Sequence, residues 1–236
     1  MTIGGFGALA FLACLLAPLV GSTTIHLSRV FDRSIPFADN VDAQIFFVAR
    51  LPRVLAAALV GSGLAVAGVV FQALLRNPLA SPDTLGVSAG AALGAMLAIT
   101  FHADFSLLSV SAVPLASFAG SLGALAIVYG LSAARGVDVT RAERVALVSA
   151  SLSTGAAVSL GGPVAFVGII VPHLVRLIVG ADHRLVLPAS ALFGAAFLIG
   201  CDLVARTALA PVELPVGIVT AIIGGPFFLW LLFRKA

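Results

Sequence analysis

The run Val54–Leu75 holds 22 residues without a formal charge. As a helix rising about 1.5 Å per residue it spans the roughly 30 Å hydrocarbon core of a bilayer. It is bracketed by polar residues. Arg50-Leu-Pro-Arg53 precedes it, and Arg76-Asn-Pro follows. Proline disfavours helical geometry at the residue before it, so Asn77-Pro78 is expected to end the crossing. A chain built around such a segment folds in a membrane.

The rest of the chain agrees. Of 236 residues, 61% are hydrophobic and only 10% charged, where a soluble domain carries about 25% charge. The net charge of +3 comes from basic residues in short loops. Membrane orientation accounts for that pattern, and nucleic acid is not needed to explain it. Cys14 and Cys201 both lie inside apolar runs, with no disulfide framework or metal spacing around them.

Taken in order, the apolar segments are expected at 4–21, 54–75, about 85–101, about 113–131, 145–161, 164–179, about 187–205 and about 216–233. The fold expected is therefore all-α, a polytopic transmembrane bundle of about eight helices in one permease-like domain, 1–236. Met1–Gly5 has no positive charge, so the first segment is expected to be retained as a span; cleavage as a signal peptide is the alternative. Residues 22–49 are expected to form an external loop. The segment 164–179 follows Gly161-Gly162-Pro163 and contains Pro172, which makes it a candidate broken or tilted helix. Eight crossings put both termini on one side. That side carries Arg76, Arg135, Arg141, Arg144, Arg176, Arg184, Arg234 and Lys235, and the other carries Arg29, Arg33, Arg50, Arg53 and Arg206. The bias predicts cytoplasmic termini in a plasma or inner membrane.

Several residues are candidates for more than packing. Arg50 and Arg53 are three apart and should share a helix face, as a dock for acidic groups of an external partner or as headgroup anchors. Asp202 and Arg206, spaced i, i+4 in an apolar run with Glu213 nearby, read as a structural ion pair or as a polar patch at the outer end of a pathway. His173 follows Pro172 without a second ligand at metal spacing and reads as structural. Gly86, Gly90 and Gly94, each four apart, predict one bare face where another helix approaches closely; Gly61/Gly68 and Gly217/Gly224 predict the same. No Walker A sequence, HExxH or GxSxG occurs. These residues alone reach a transporter-like membrane protein that is not an enzyme and calls for no cofactor or metal.

Longer motifs go further. Arg50-Leu-Pro-Arg53, Gln72-Ala-Leu-Leu-Arg-Asn-Pro-Leu-Ala80 and Leu85-Gly-Val-Ser-Ala-Gly-Ala-Ala-Leu-Gly94 resemble the permease subunits of bacterial ATP-binding-cassette importers for iron–siderophore, heme and vitamin B12. Gly162–His173, Ala181-Asp-His-Arg184, Asp202–Arg206 and Glu213–Thr220 are similar to that family's C-terminal pattern, in order. The resemblance implies a permease with a cytoplasmic ATPase, a periplasmic substrate-binding protein and a second permease copy or a similar subunit as partners. It implies that Arg50 and Arg53 meet acids of the binding protein. The spelling Asn77-Pro-Leu-Ala-Ser-Pro-Asp83 looks closer to siderophore permeases than to the B12 branch.

One departure stands out. Such permeases have about ten spans. Here 1–131 resembles spans one to four and 140–236 spans seven to ten, with a junction near 132–139. Spans five and six are expected to be missing, with most of the loop that seats in the ATPase. Arg135, Arg141 and Arg144 are what remains for residual ATPase contact. An internally shortened chain that docks its partner without transporting is the alternative function.

Overall fold

A computed structural model describes residues 2–107, 110–134 and 140–234. Helix α1 is Thr2–Leu16, continued by a tight turn at Ala17–Leu19. Two short helices, α2 (Leu27–Val30) and α3 (Val41–Gln44), follow. Helix α4 is Leu51–Leu74, α5 is Val87–Thr100, and α6 is Ala112–Ala134. The second half holds α7 (Arg141–Gly161), α8 (Val167–Val179), α9 (His183–Thr207) and α10 (Val216–Arg234). A two-residue β ladder, β1 (Ser106–Leu107) with β2 (Val110–Ser111), closes the turn between α5 and α6. All eight expected apolar segments are helical. Five are long and apolar enough to cross a membrane, and Ile3–Leu19, Val87–Thr100 and Val167–Val179 are shorter apolar helices.

The second crossing starts well before the expected boundary. Asn40 caps α3 by accepting from the Ala43 N–H at 3.0 Å, and the helix then runs without a break to Leu74. Ile45–Arg50 is a π-helical stretch inside it. Such a stretch widens one turn and re-aims the side chains at its end. The arginines therefore lie within the helix and not at its boundary, Arg50 buried and Arg53 partly exposed.

Helix α4 is the centre of the bundle. It packs on α9, α7 and α8. Val60, Leu64, Val69, Val167, Val171, Val175, Val186 and Leu198 are buried in the main core between these helices. Small residues set the spacing. A methyl group on Gly61 would overlap the Gly194 carbonyl of α9, and one on Gly68 would overlap the Gly168 carbonyl of α8. In α5, Gly90 and Gly94 lie against Gly120 and Ala116 of α6. Without a water-driven hydrophobic term between helices in lipid, such backbone approach is the main source of association. Gly86 departs from its expected role. It touches nothing with its missing side chain and takes a left-handed conformation, φ +74°, at the start of α5. It turns the chain into the helix, a backbone position that suits glycine.

Helix α8 explains the marginal length of its segment. Thirteen residues span about 20 Å, too little for a crossing. The chain leaves α7 at Gly162 (φ +73°), turns through Phe166 (φ +69°), and starts α8 beside Gly68, in the second half of α4. The segment is a half-helix whose start is covered by neighbouring protein, which is where a membrane tolerates broken backbone.

Candidate functional site: a charged cluster at one end of the bundle

Several charged residues gather at the end where α1, α9 and the start of α4 meet. The turn that continues α1 ends in the carbonyls of Ala17, Pro18 and Leu19, and at a helix C-terminus such carbonyls are short of backbone donors; Ala17 O accepts from the Val20 N–H at 3.3 Å. Arg50 donates through Nη1 to Pro18 O at 3.2 Å and Leu19 O at 3.3 Å, and through Nη2 to Thr23 O. Arg206 donates through Nη2 to Ala17 O at 2.7 Å. Two guanidiniums thus cap the negative end of α1, where the helix dipole favours positive charge. Gly21 lies flat against Arg50, and a side chain there would collide with the guanidinium.

Arg53 takes a different direction. Its Nε donates to Asp202 Oδ1 at 2.8 Å, and its Nη1 to Glu213 Oε2 at 2.6 Å. Asp202 Oδ2 lies 3.6 Å from Arg206 Nε, so Asp202 sits between two arginines. Asp202 and Arg206 are buried, whereas the Arg53 side chain is 36% exposed and that of Glu213 53%. Charges at this depth are retained because they are paired. The pair expected at Asp202 and Arg206 is present, and it belongs to a network of five charged groups that also includes Arg53, Glu213 and Arg50.

This corrects the expectation for Arg50. The two arginines do not share an outward face. Arg50 is 6% exposed and spent on its own chain's carbonyls. Of these five charged groups, Arg53 and Glu213 are the ones exposed enough to meet an outside partner. Two cavities flank Arg53. One of about 210 Å³ is lined by Arg53, Ala56, Val60, Gly161, Val164 and Asp202. The other, about 180 Å³, is lined by Ser22, Thr23, Arg50, Arg53, Arg206 and Glu213.

The other candidates fall elsewhere. Asn77 ends α4: its side chain accepts from the Leu79 N–H at 3.0 Å, so it is a turn former beside Pro78. Pro172 is buried inside α8, and the His173 ring packs edge-on against Phe227 of α10 at 5.6 Å. Arg141 and Arg144 open α7 at the opposite end of the bundle from Arg53. Arg135 lies outside the described residues, as do most of the junction residues. One cluster had no signal in the sequence. Gln72 of α4 donates to the Gly168 carbonyl at 3.0 Å and accepts from Arg176. It ties both ends of the half-helix α8 to α4.

The chain matches the FecCD transport family over residues 9–136 and again over 131–234. It belongs to that family. The two matches meet at 131–136, so two stretches that relatives hold apart lie next to each other here. The cobalamin import permease BtuC of Halobacterium salinarum is 33% identical, with 95% of this chain and 87% of that one covered. The hemin transport permease HmuU of Yersinia pestis is 31% identical, covering 96% of this chain and 95% of that one. These matches run over 329 and 318 positions against 236 residues here. The relatives therefore carry stretches inside the match that this chain lacks. A solved ABC transporter of the metal-chelate type, in an inward-facing conformation, superposes with a TM-score of 0.77 at 27% identity, covering 98% of both chains. FecCD proteins are membrane permease subunits, not enzymes, and this chain is a shortened, all-helical member.

Proposed function

We propose that this chain is the permease subunit of an importer for an iron–siderophore-type chelate, powered by a separate cytoplasmic ATPase and fed by a binding protein. The observation that carries the reading is the Arg53–Asp202–Glu213 cluster beside a partly open cavity. It presents one half-exposed arginine and one exposed acid at the end of the bundle where α4 starts and α9 ends. Charged groups of this kind steer and register a partner. The metal-chelate class of the similar solved transporter supports the ligand class, and the spelling of Asn77–Asp83 favours siderophore chelates over B12. On this reading the Arg53 end faces outward, and the end with Arg76, Arg141, Arg144, Arg176 and Arg184 faces the cytoplasm. The ligand passes between this chain and a second permease subunit, a copy or a similar chain.

The test is uptake. Cells lacking their own chelate permease would receive this chain with its ATPase and binding protein, and accumulation of a ⁵⁵Fe–hydroxamate chelate would be followed. Uptake that hemin and cobalamin do not compete is expected. Competition by either moves the ligand to that branch.

The absent interior favours a second reading, a docking subunit that does not transport. ATP hydrolysis that does not respond to loaded binding protein, with docking retained, would establish it.

A further inference from the structure

The helix that begins at Val41 is longer than a bilayer core is thick. Val41–Leu74 holds 34 residues, about 51 Å of helix, against roughly 30 Å of hydrocarbon. The uncharged run Val54–Leu75 fills that core. The part from Val41 to Arg53 is therefore about 20 Å of helix beyond it. Its surface is nonetheless apolar. Val41 and Val48 are each 64% exposed, and Phe31, which packs on this stretch, is 63% exposed. Phe37 and Phe47 are exposed as well. A contiguous apolar patch of this kind marks a contact surface.

The patch is built. Buried Asn40 donates to the Arg29 carbonyl at 2.6 Å while its Oδ1 caps α3, and Gln44 donates to the carbonyls of Phe37 at 3.0 Å and Ala38 at 2.7 Å. The loop that carries Phe31 and Phe37 is thus tied to the start of the long helix. The Phe31 ring meets Phe46 at 6.1 Å and Phe47 at 6.0 Å, and those two meet at 5.0 Å, all edge to face. Two observations say what covers the patch. Val48, Leu55 and Leu59 are all exposed, and their spacing of seven and four puts them on one broad face of the helix. The patch thus continues sideways into the apolar face of a membrane crossing. The charges beside it nearly balance, Arg29 and Arg33 against Asp32, Asp39 and Asp42, so what it meets is selected by apolar contact.

We propose that residues 27–48 are a membrane-interface anchor: Phe31, Phe46, Phe47, Val41 and Val48 bind the phospholipid surface of the leaflet at the Arg53 end, whatever its headgroup charge. Segments of this kind bury their apolar side about 5–10 Å into the boundary between headgroups and acyl chains. Twenty ångströms of helix standing upright would leave that layer, so the first turns incline along it. The π-helical stretch Ile45–Arg50 is where a long helix bends, and it carries Phe46 and Phe47. Arg50 and Arg53 follow directly. The depth of the rings therefore sets the height and rotation at which the charged cluster is held.

The test is tryptophan fluorescence of the intact chain in phosphatidylcholine vesicles. Trp230 is the single native tryptophan, so Trp230→Phe gives a silent background. Into it go Phe47→Trp or, leaving the three rings untouched, Val41→Trp. Leu59→Trp serves as a reporter within the hydrocarbon. Quenching is read with lipids brominated near the carbonyl end of the acyl chain, with lipids brominated near the methyl end, and with iodide in the water. The reporters at 47 and 41 should be quenched more by the carbonyl-end bromines than by the methyl-end ones, and Leu59→Trp should show the opposite order. Replacing half of the phosphatidylcholine by phosphatidylglycerol should change neither. Quenching of both patch reporters by iodide but by neither lipid would overturn the proposal, because the segment would stand in water. Shielding from lipid and iodide alike would assign the patch to a second copy of the chain and overturn it. So would lipid quenching that is lost when binding protein is added, which would assign the patch to that protein. Lipid quenching seen only with phosphatidylglycerol would replace apolar contact by charge and contradict it too. The measurement needs neither ATPase nor transport, so its failure is separate from failure of the importer reading.

Discussion

Arg53 is the residue on which the charged end depends. Replacing it with alanine removes both acid contacts and leaves buried Asp202 with only Arg206, 3.6 Å away. Breaking a buried ion pair costs about 3–5 kcal/mol, and partial exposure of Arg53 brings the expected loss to about 2 kcal/mol. Thermal unfolding in detergent should show a clear drop in Tm for Arg53→Ala. Glu213→Gln should leave Tm nearly unchanged, because an exposed pair is worth about 0–1 kcal/mol. It should also free Arg53 and tighten binding of an acidic partner, read by titration of the binding protein onto the permease. Weaker binding in Glu213→Gln would mean that Glu213 itself is a contact. This cluster was only partly legible in the sequence. The i, i+4 spacing exposes Asp202 and Arg206, but Arg53 lies 149 positions from Asp202 and 160 from Glu213. Spacing carries no information at that range. Arg50 misled for a related reason: a nearby helix C-terminus, which consumes the charge, cannot be seen from its neighbours.

At the scale of elements, glycine sets which helices touch. Gly68→Ala should push the Gly168 carbonyl away, separate α4 from α8 and cost about 1–3 kcal/mol. Gly123→Ala, whose added methyl meets nothing, should be neutral or stabilising by up to about 1 kcal/mol. Opposite signs for the same substitution, measured as Tm, would support the packing; equal effects would refute it. These contacts were visible as four- and seven-residue glycine spacings. Gly86 was not separable from them, because a turn glycine and a packing glycine look alike until φ is known. The half-helix α8 was foreshadowed by Gly161-Gly162-Pro163 and Pro172. Its anchoring by Gln72 and Arg176 was not, since the two lie 104 positions apart. Gln72→Leu should leave Arg176 and the Gly168 carbonyl without that partner, and loosen α8 first. Faster hydrogen exchange in 167–179 than in α4 would report it.

For the whole molecule, the hydropathy of eight segments and the order of the motifs were enough to reach the family and the all-helical fold. Both follow from local composition and short-range spelling. Helix rotation was not legible, because faces this uniformly apolar have no polar side to orient them. The central claim is that a permease shortened in its interior still works with its ATPase. The direct measurement is ATP hydrolysis by the purified chain with its ATPase in proteoliposomes, with and without binding protein loaded with ferric hydroxamate. The account predicts that the two purify together and that loaded binding protein raises hydrolysis, with Arg53→Ala losing the increase. A folded, membrane-inserted chain that neither retains the ATPase nor responds to loaded binding protein would contradict it.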